Sequence, residues 1–294
     1  MGVAAPVLRR RLKLPPGAVL GTAALAPPAL CVAAPRSRAR DVGVCVLNMW
    51  AYVAAYEMPH DNPERLAERV KVDYPILADR VLGLGTAPTV RLQRAFATPG
   101  RISAFERILI FSHWVWFATP HLSLAYVLWR RPDRFPAAAA RMYGTFDTGV
   151  IFYWLIPTAP PWWAARHGRM PGRVELRRMM IEYGPEFWGN RWEGLYDVLG
   201  GNPLAAMPSL HFATSLMAAH LLWEVGPVAG SLGSIYAATL GLALVYLGEH
   251  YAVDLVAGAA LTETIRAAAP RLEPLARRLT GTLTALELRA SGAG

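Results

Sequence analysis

"NPLAAMPSLHFATS" (residues 202–215) brings Pro208, Ser209 and His211 together where a polar, glycine-bearing stretch gives way to a long apolar run. The apolar run reads as a membrane-embedded helix, and Ser209 as the residue that caps its N-terminus. His211 then stands at the threshold of that helix. A histidine alone in such a place is a buried imidazole with one satisfied hydrogen bond. The reading therefore turns on whether the rest of the chain supplies His211 with chemical company.

Composition sets the environment. Hydrophobic residues make up 54% of the 294 and charged residues 17%, against about a quarter charged in soluble domains. The 10 Trp and 11 Tyr suit aromatic belts at membrane interfaces. Several apolar stretches approach the roughly 20 residues needed to cross a bilayer. The expected fold is all-α, a polytopic membrane bundle of about six transmembrane helices with short interfacial helices. The spans are expected near 42–57, 107–129, 143–161, 209–225, 231–248 and 250–266. Between the first two, residues 58–105 hold five prolines and alternate apolar with charged positions, as short helices lying on an interface do. Residues 17–34 are apolar but interrupted by Pro27-Pro28 and lack a convincing cleavage site, so they are expected as an interfacial segment. The chain is accordingly divided into an N-terminal region 1–104 with the first span and interfacial helices, a membrane domain 105–266 and a tail 267–294.

The net charge of +9 is almost entirely arginine, with Lys13 and Lys71 as the two lysines. The arginines flank the apolar spans, as Arg9-Arg10-Arg11, Arg36/Arg38/Arg40, Arg130/Arg131/Arg134 and Arg277/Arg278. Such flanking charge follows the positive-inside rule and not a nucleic-acid stripe, so no nucleic-acid partner is expected. With the N-terminal arginines in the cytoplasm, six spans return every basic loop to that side. Residues 58–105, 162–208 and 248–251 then fall outside, and His211 lies at the outer mouth of the fourth span. Cys31 and Cys45 lack metal-ligand spacing.

The same outer face receives "YLGEHYAVDLVAG" (residues 246–258). His250 and Asp254 are four apart, hence on one helix face a turn from each other. A carboxylate there accepts the Nδ1 proton, fixes the tautomer and makes Nε2 more nucleophilic. A carboxylate in a membrane segment is costly and marks a functional site by default. Gly258 would let a neighbouring helix approach closely. Two histidines, one backed by a carboxylate, with a serine at a helix N-terminus, compose a phosphoryl-transfer site. Helix amides and Ser209 hold phosphate oxygens, one imidazole attacks phosphorus and the other protonates the leaving oxygen. The competing readings are a structural His–Asp pair and a metal site on His211, His250 and Asp254. The second lacks the further acidic ligands a catalytic divalent ion would want, and no cofactor is expected.

These blocks resemble the type 2 phosphatidic acid phosphatase superfamily, whose pattern runs K-x6-RP, PSGH and SR-x5-H-x3-D. Pro208-Ser209-Leu210-His211 matches the second block with Leu for Gly, and His250 with Asp254 matches the end of the third. Within the superfamily the chain is most similar to the inositol phosphorylceramide synthase branch and its actinobacterial relatives, which carry PSLH and a proline–tryptophan element like "PTAPPWW" (157–163). The likeness is good over 105–262 and weak before it. The Ser-Arg pair of the third block is absent, replaced by Ala243 and Leu244, and the first block is not recognisable.

The resemblance implies that His250 is the nucleophile, forming a phosphohistidine, and that Asp254 orients it. His211 is then the general acid and later the base, and Ser209 binds phosphate. It also implies a metal-independent enzyme acting on a membrane lipid phosphate, with an alcohol or water as acceptor. The leading expectation is a lipid phosphotransferase moving a phosphoryl or inositol-phosphate-like head group. The alternatives are a phosphatase of phosphatidate or polyprenyl phosphate, and an inactive membrane scaffold. The expected location is the cytoplasmic membrane with the site on the extracytoplasmic face; the oligomeric state is left open. For the phosphate's positive partner the candidates are Arg141, by analogy with the branch, and Arg166, with Arg191 on the same outer side. Trp162 and Trp163 are candidates to line the lipid entrance, or members of an ordinary aromatic belt. His113, His121 and His220 are expected to pack, and Glu249 to tune His250 or face water.

Overall fold

The computed structural model describes residues 2–172, 174–199 and 201–290. The last four residues of the expected tail 267–294 lie outside the described residues. The described chain is helical, its extended backbone limited to the isolated parallel bridges Lys71–Thr158 and Thr158–Ala205. It divides into two compact units, residues 1–63 with 264–294, and residues 64–263.

In the first unit, α1 (Ala4–Leu8) precedes α2 (Pro16–Ala33) and α3 (Arg38–Glu57). The region expected as interfacial, 17–34, is thus a regular 18-residue helix through Pro27 and Pro28, long and apolar enough to cross a membrane. Ser37 caps α3 by accepting from the Arg40 amide at 3.1 Å. The arginine clusters separate to opposite ends of α3. Arg36 and Arg40, at its start, pair with Glu287. Arg9 bonds Glu57 and Asp61 at its far end, and Arg10 joins it on Asp61. This corrects the sequence reading, which put Arg9-Arg10-Arg11 and Arg36–Arg40 on one side. The two clusters are divided by a helix of membrane length, a separation that loop charge alone does not reveal.

The second unit opens with three short helices, α4 (Pro63–Arg69), α5 (Asp73–Leu82) and α6 (Pro88–Phe96), as the proline-punctuated sequence anticipates. A capping box on Ser103 and Glu106 starts α7 (Ala104–Val115). The expected span 107–129 is not one helix: α7 ends and α8 (Thr119–Arg130) leaves at 62°. Pro120 has no amide proton to continue the ladder, and it restricts Thr119 before it. Then follow α9 (Phe135–Leu155), α10 (Pro161–Arg166), α11 (Met179–Trp188), α12 (Trp192–Leu199), α13 (Leu210–Val225) and α14 (Pro227–Tyr246). Helix α15 (Ala252–Ala290) starts in this unit and continues unbroken past residue 266 into the first.

Among the described residues, two helices pass as spans by length and composition, α2 and α14, or three if α7 and α8 together make one. The other expected spans fall short for visible reasons. At 16 residues, α13 rises roughly 24 Å, less than the roughly 30 Å hydrocarbon core. The start of α3 carries Arg38, Arg40 and Asp41.

Two apolar clusters frame the turn between α14 and α15. One gathers Leu66, Ile76, Val90, Ala159 and Leu204 around Tyr251; the other packs Leu109, Ile110, Met179 and Tyr183 on Tyr246 and Leu247. The turn that carries His250 is held from both sides by buried side chains.

Candidate active site

Ser209 initiates α13 with its Oγ accepting from the Phe212 amide at 3.3 Å, while its own amide donates to the Asp254 carbonyl at 3.0 Å. Helix α15 can come this near because residue 258 is glycine. A Cβ at Gly258 would stand 2.6 Å from the Ser209 carbonyl oxygen, the close approach its sequence position suggested. Leu210, standing where the superfamily pattern has Gly, fills the notch at Gly149 of α9, where a Cβ would meet its side chain at 2.3 Å. The Leu-for-Gly departure is therefore a packing contact.

His250 lies in the turn, four per cent exposed, and Asp254 in the first turn of α15 is fully buried. The His250 Nδ1 lies 3.3 Å from Asp254 Oδ2, which also accepts from the Tyr251 amide at 2.9 Å. On its other side, His250 Nε2 is 3.3 Å from His211 Nδ1. With Asp254 ionised, His250 Nδ1–H donates to it, and in that tautomer the Nε2 lone pair accepts from His211 Nδ1–H. The chain Asp254–His250–His211 then sets an imidazole lone pair facing an N–H donor. The donors point at one another and not at a common centre, and among the described residues no three His, Cys, Asp or Glu side chains converge as a metal site.

His211 is also held from the break between α7 and α8. His113 stacks on it with centroids 4.9 Å apart and Trp116 packs at 4.0 Å. Trp116 Nε1 donates to Thr214 Oγ1, which fixes the indole. The packing role expected for His113 is thus played on the His211 imidazole itself. Its Nδ1 is buried without a hydrogen-bond partner among the described residues. His121 stacks with Phe146 and His220 bonds Glu263, both away from the Asp254–His250–His211 contacts.

The arginine candidates separate. Arg141 is bound through both terminal nitrogens to Glu224, its Nη2 at 2.8 Å. Glu224 is 13 residues beyond His211 on α13, roughly 20 Å along the axis, so Arg141 is not brought to His211. Arg166 is exposed at the end of α10 and Arg191 is exposed after α11. The cation beside the site is instead Arg178, just before α11. Its guanidinium covers the Trp162 ring at 3.8 Å and approaches Glu249 and Tyr196, each at 3.4 Å. Its Nε is buried with no partner among the described residues. Burial raises the Glu249 carboxyl, and the Arg178 and His250 charges pull it back down. Trp162 is tied to the same turn, its amide donating to the Gly248 carbonyl at 3.1 Å. Trp163 points elsewhere, lining a cavity of about 410 Å³ with Lys71, Tyr74 and Arg169. Tyr74 in turn reaches Met207 Sδ at 3.2 Å, next to the Pro208-Ser209 turn.

A family model, described as PAP2 superfamily, matches residues 78–268. The chain belongs to the PAP2 superfamily. It is therefore an integral membrane protein, as its apolar helices also indicate. It is similar to inositol phosphorylceramide synthase of Candida albicans, 28% identical over 165 residues, which cover 52% of this chain and 34% of that one. The match thus spans about a third of that relative's length. No solved structure matches the chain significantly. The family match begins 27 residues before the region of good resemblance read from the motifs, at residue 78 against 105, and so takes in the second half of α5 and all of α6.

Proposed function

We propose that this PAP2 protein is a metal-independent lipid phosphotransferase working through a phosphohistidine on His250. The observation that carries the reading is the hydrogen-bonded order Asp254–His250–His211, with a lone pair and an N–H facing each other across 3.3 Å. In the first step His250 Nε2 forms a bond to phosphorus as the bond from phosphorus to the leaving oxygen breaks. His211, entering the step as the imidazolium, delivers its Nδ1 proton to that oxygen and is left neutral. In the second step neutral His211 takes the proton of an acceptor hydroxyl, whose oxygen attacks phosphorus and releases His250. The substrate inserts between the two nitrogens, so the imidazole rings part on binding.

Arg178 is the proposed phosphate clamp, in place of the absent Ser-Arg pair and of Arg141 and Arg166. Its unpartnered Nε is a donor suited to a phosphate oxygen. The Ser209 Oγ accepts from the helix, which leaves its proton for a second oxygen. Trp162 fixes the plane of the guanidinium, and the cavity beside Trp163 is the proposed lipid-side approach. The proposed topology keeps the six spans of the sequence reading, adds α2 as a further crossing, and sets the site on the extracytoplasmic face. The relative's printed name favours an inositol-phosphate-like head group and an alcohol acceptor; with water as acceptor the same machinery is a phosphatase.

The test follows head-group transfer and free phosphate together, on purified protein in detergent with EDTA, for wild type and His250→Ala. Transfer to an added alcohol that disappears in the variant is expected. Phosphate release alone, also lost in the variant, makes the protein a phosphatase. Activity that survives in His250→Ala excludes the phosphohistidine.

A further inference from the structure

The first turn of α15 carries Asp254, and what holds that turn comes from a part of the chain with no motif. Asp79 on α5 is fully buried, and its Oδ1 accepts from the Val253 amide at 3.1 Å. The neighbouring Ala252 amide also favours the charged form of this carboxylate. These are the leading amides of α15, groups that lack a partner within the helix. Asp254 turns its Oδ2 back on the Tyr251 amide, and its Oδ1 has no hydrogen-bond partner among the described residues, so it does not serve them. A helix of 39 residues therefore has its N-terminus capped from another element, one residue before the carboxylate that orients His250. The other Asp79 oxygen, Oδ2, is buried with no hydrogen-bond partner among the described residues. Capping a helix needs no burial, since Ser, Thr or Asn within the turn does it at little cost. Here a carboxylate is buried whole, and close enough to Asp254 for the two charges to act on each other.

We infer that Asp79 is a positioning residue of the active site, which sets the first turn of α15 so that Asp254 meets His250 Nδ1. Asp79 touches neither histidine and acts through the backbone of Ala252 and Val253. The effect falls on the chemical step, because a displaced Asp254 no longer orders the His250 tautomer, whereas the phosphate's proposed contact at Arg178 remains. Displacing a catalytic group by about 1 Å is enough for roughly a 10²-fold loss. An amide oxygen can take the Val253 backbone donor as the carboxylate does, so asparagine at this position preserves the cap.

This inference rests on the proposed phosphohistidine reading, and its test separates the two. Wild type, Asp79→Ala, Asp79→Asn and His250→Ala are assayed for transfer and phosphate release, with kcat and KM resolved. Hydrogen exchange is measured over residues 246–258 in the same preparations. Asp79→Ala is expected to lose about 10²-fold in kcat with KM nearly unchanged, and to exchange faster at the first turn of α15. Asp79→Asn is expected to restore kcat to within a few-fold of wild type and to restore the slow exchange. Wild-type kcat in Asp79→Ala, or equal losses in the Ala and Asn variants, overturns the inference. Should His250→Ala keep full activity, the phosphohistidine reading fails by itself. Exchange in the first turn of α15 then decides whether Asp79 holds it, and unchanged exchange in Asp79→Ala overturns that as well.

Discussion

Residues 202–258 and residues 64–96 both build the candidate site, yet they announce themselves very differently. The first segment supplies the proposed reacting groups, Ser209, His211, His250 and Asp254, at spacings that such chemistry would dictate. The second supplies none. It contributes Asp79, which caps α15, and Gln93, whose amide donates to the Tyr246 carbonyl at 2.8 Å and accepts from the Arg177 amide at 2.9 Å. Gln93 thereby ties the end of α14 to the strand of chain that leads into Arg178. The lesson is that reacting atoms impose a sequence pattern, whereas the groups that hold their backbone impose only a position in space. A carboxylate that caps another helix can come from any element that reaches it.

Arg178 gives the sharpest way to break this division, since it is a candidate for direct contact with substrate that lies outside both segments. Arg178→Ala is expected to lower transfer by about 10²–10³-fold, the cost of removing one preorganised donor from a developing phosphorane. Arg178→Lys is expected to recover little, because a lysine can neither lie flat on Trp162 nor offer the Nε–H. The measurement is kcat/KM for both variants beside Arg141→Ala. Wild-type activity in Arg178→Ala would return the clamp to the open question the sequence leaves.

The legibility of the site follows the same division. The His250–Asp254 pair was readable because a helical turn fixes which positions meet, and Gly258 because a close helix crossing demands a missing side chain. The all-helical fold and the short helices of 58–105 were readable from apolar runs and proline punctuation. Arg178 was not, because its neighbour Arg177 and the surrounding loop arginines look alike in sequence, and only the fold shows which one lies over an indole. His113 was set aside as packing, which describes its contact and misses that the contact is His211. The break at residues 116–118 was hidden inside an apolar run of span length. The placement of Arg9 at the far end of α3 was hidden too, since loop charge counts arginines without reporting that Glu57 and Asp61 neutralise them.

Asp79 sharpens the comparison through pH. Burial raises its carboxyl from 3.8 to about 6, with the Asp254 charge adding to the rise and the Val253 and Ala252 amides opposing it. The folded protein therefore binds this proton more tightly than the unfolded chain does. Its contribution to stability is complete below about pH 4 and is lost as pH rises through about 6, a difference approaching about 3 kcal/mol. Asp79→Asn, which has no charge to bury, is expected to escape this loss. Its thermal midpoint in detergent should exceed that of wild type at pH 8 and converge with it near pH 4. A constant gap across the range would mean that the Asp79 carboxylate is solvated in the folded protein.

The two ends of α13 supply the smallest expected effect and the most direct control. Arg141 was the leading candidate for the clamp, and it does make a two-pronged bond to a carboxylate, the geometry a phosphate would also invite. That carboxylate is Glu224, however, near the end of the helix that His211 begins, and the Arg141 Nε is taken by the Ala137 carbonyl at 3.2 Å. Glu224 is about one-third exposed, and a pair of that kind is worth about 0–1 kcal/mol. Arg141→Ala should leave kcat/KM within about twofold of wild type and lower the thermal midpoint slightly, in keeping with that range. A loss on the scale expected for Arg178 would mean that Arg141 exchanges Glu224 for the substrate, and that the phosphate lies at the opposite end of α13 from His211. Near-normal activity in Arg141→Ala beside a crippled Arg178→Ala would locate the charge on the phosphate at the end where α13 begins, against the indole of Trp162.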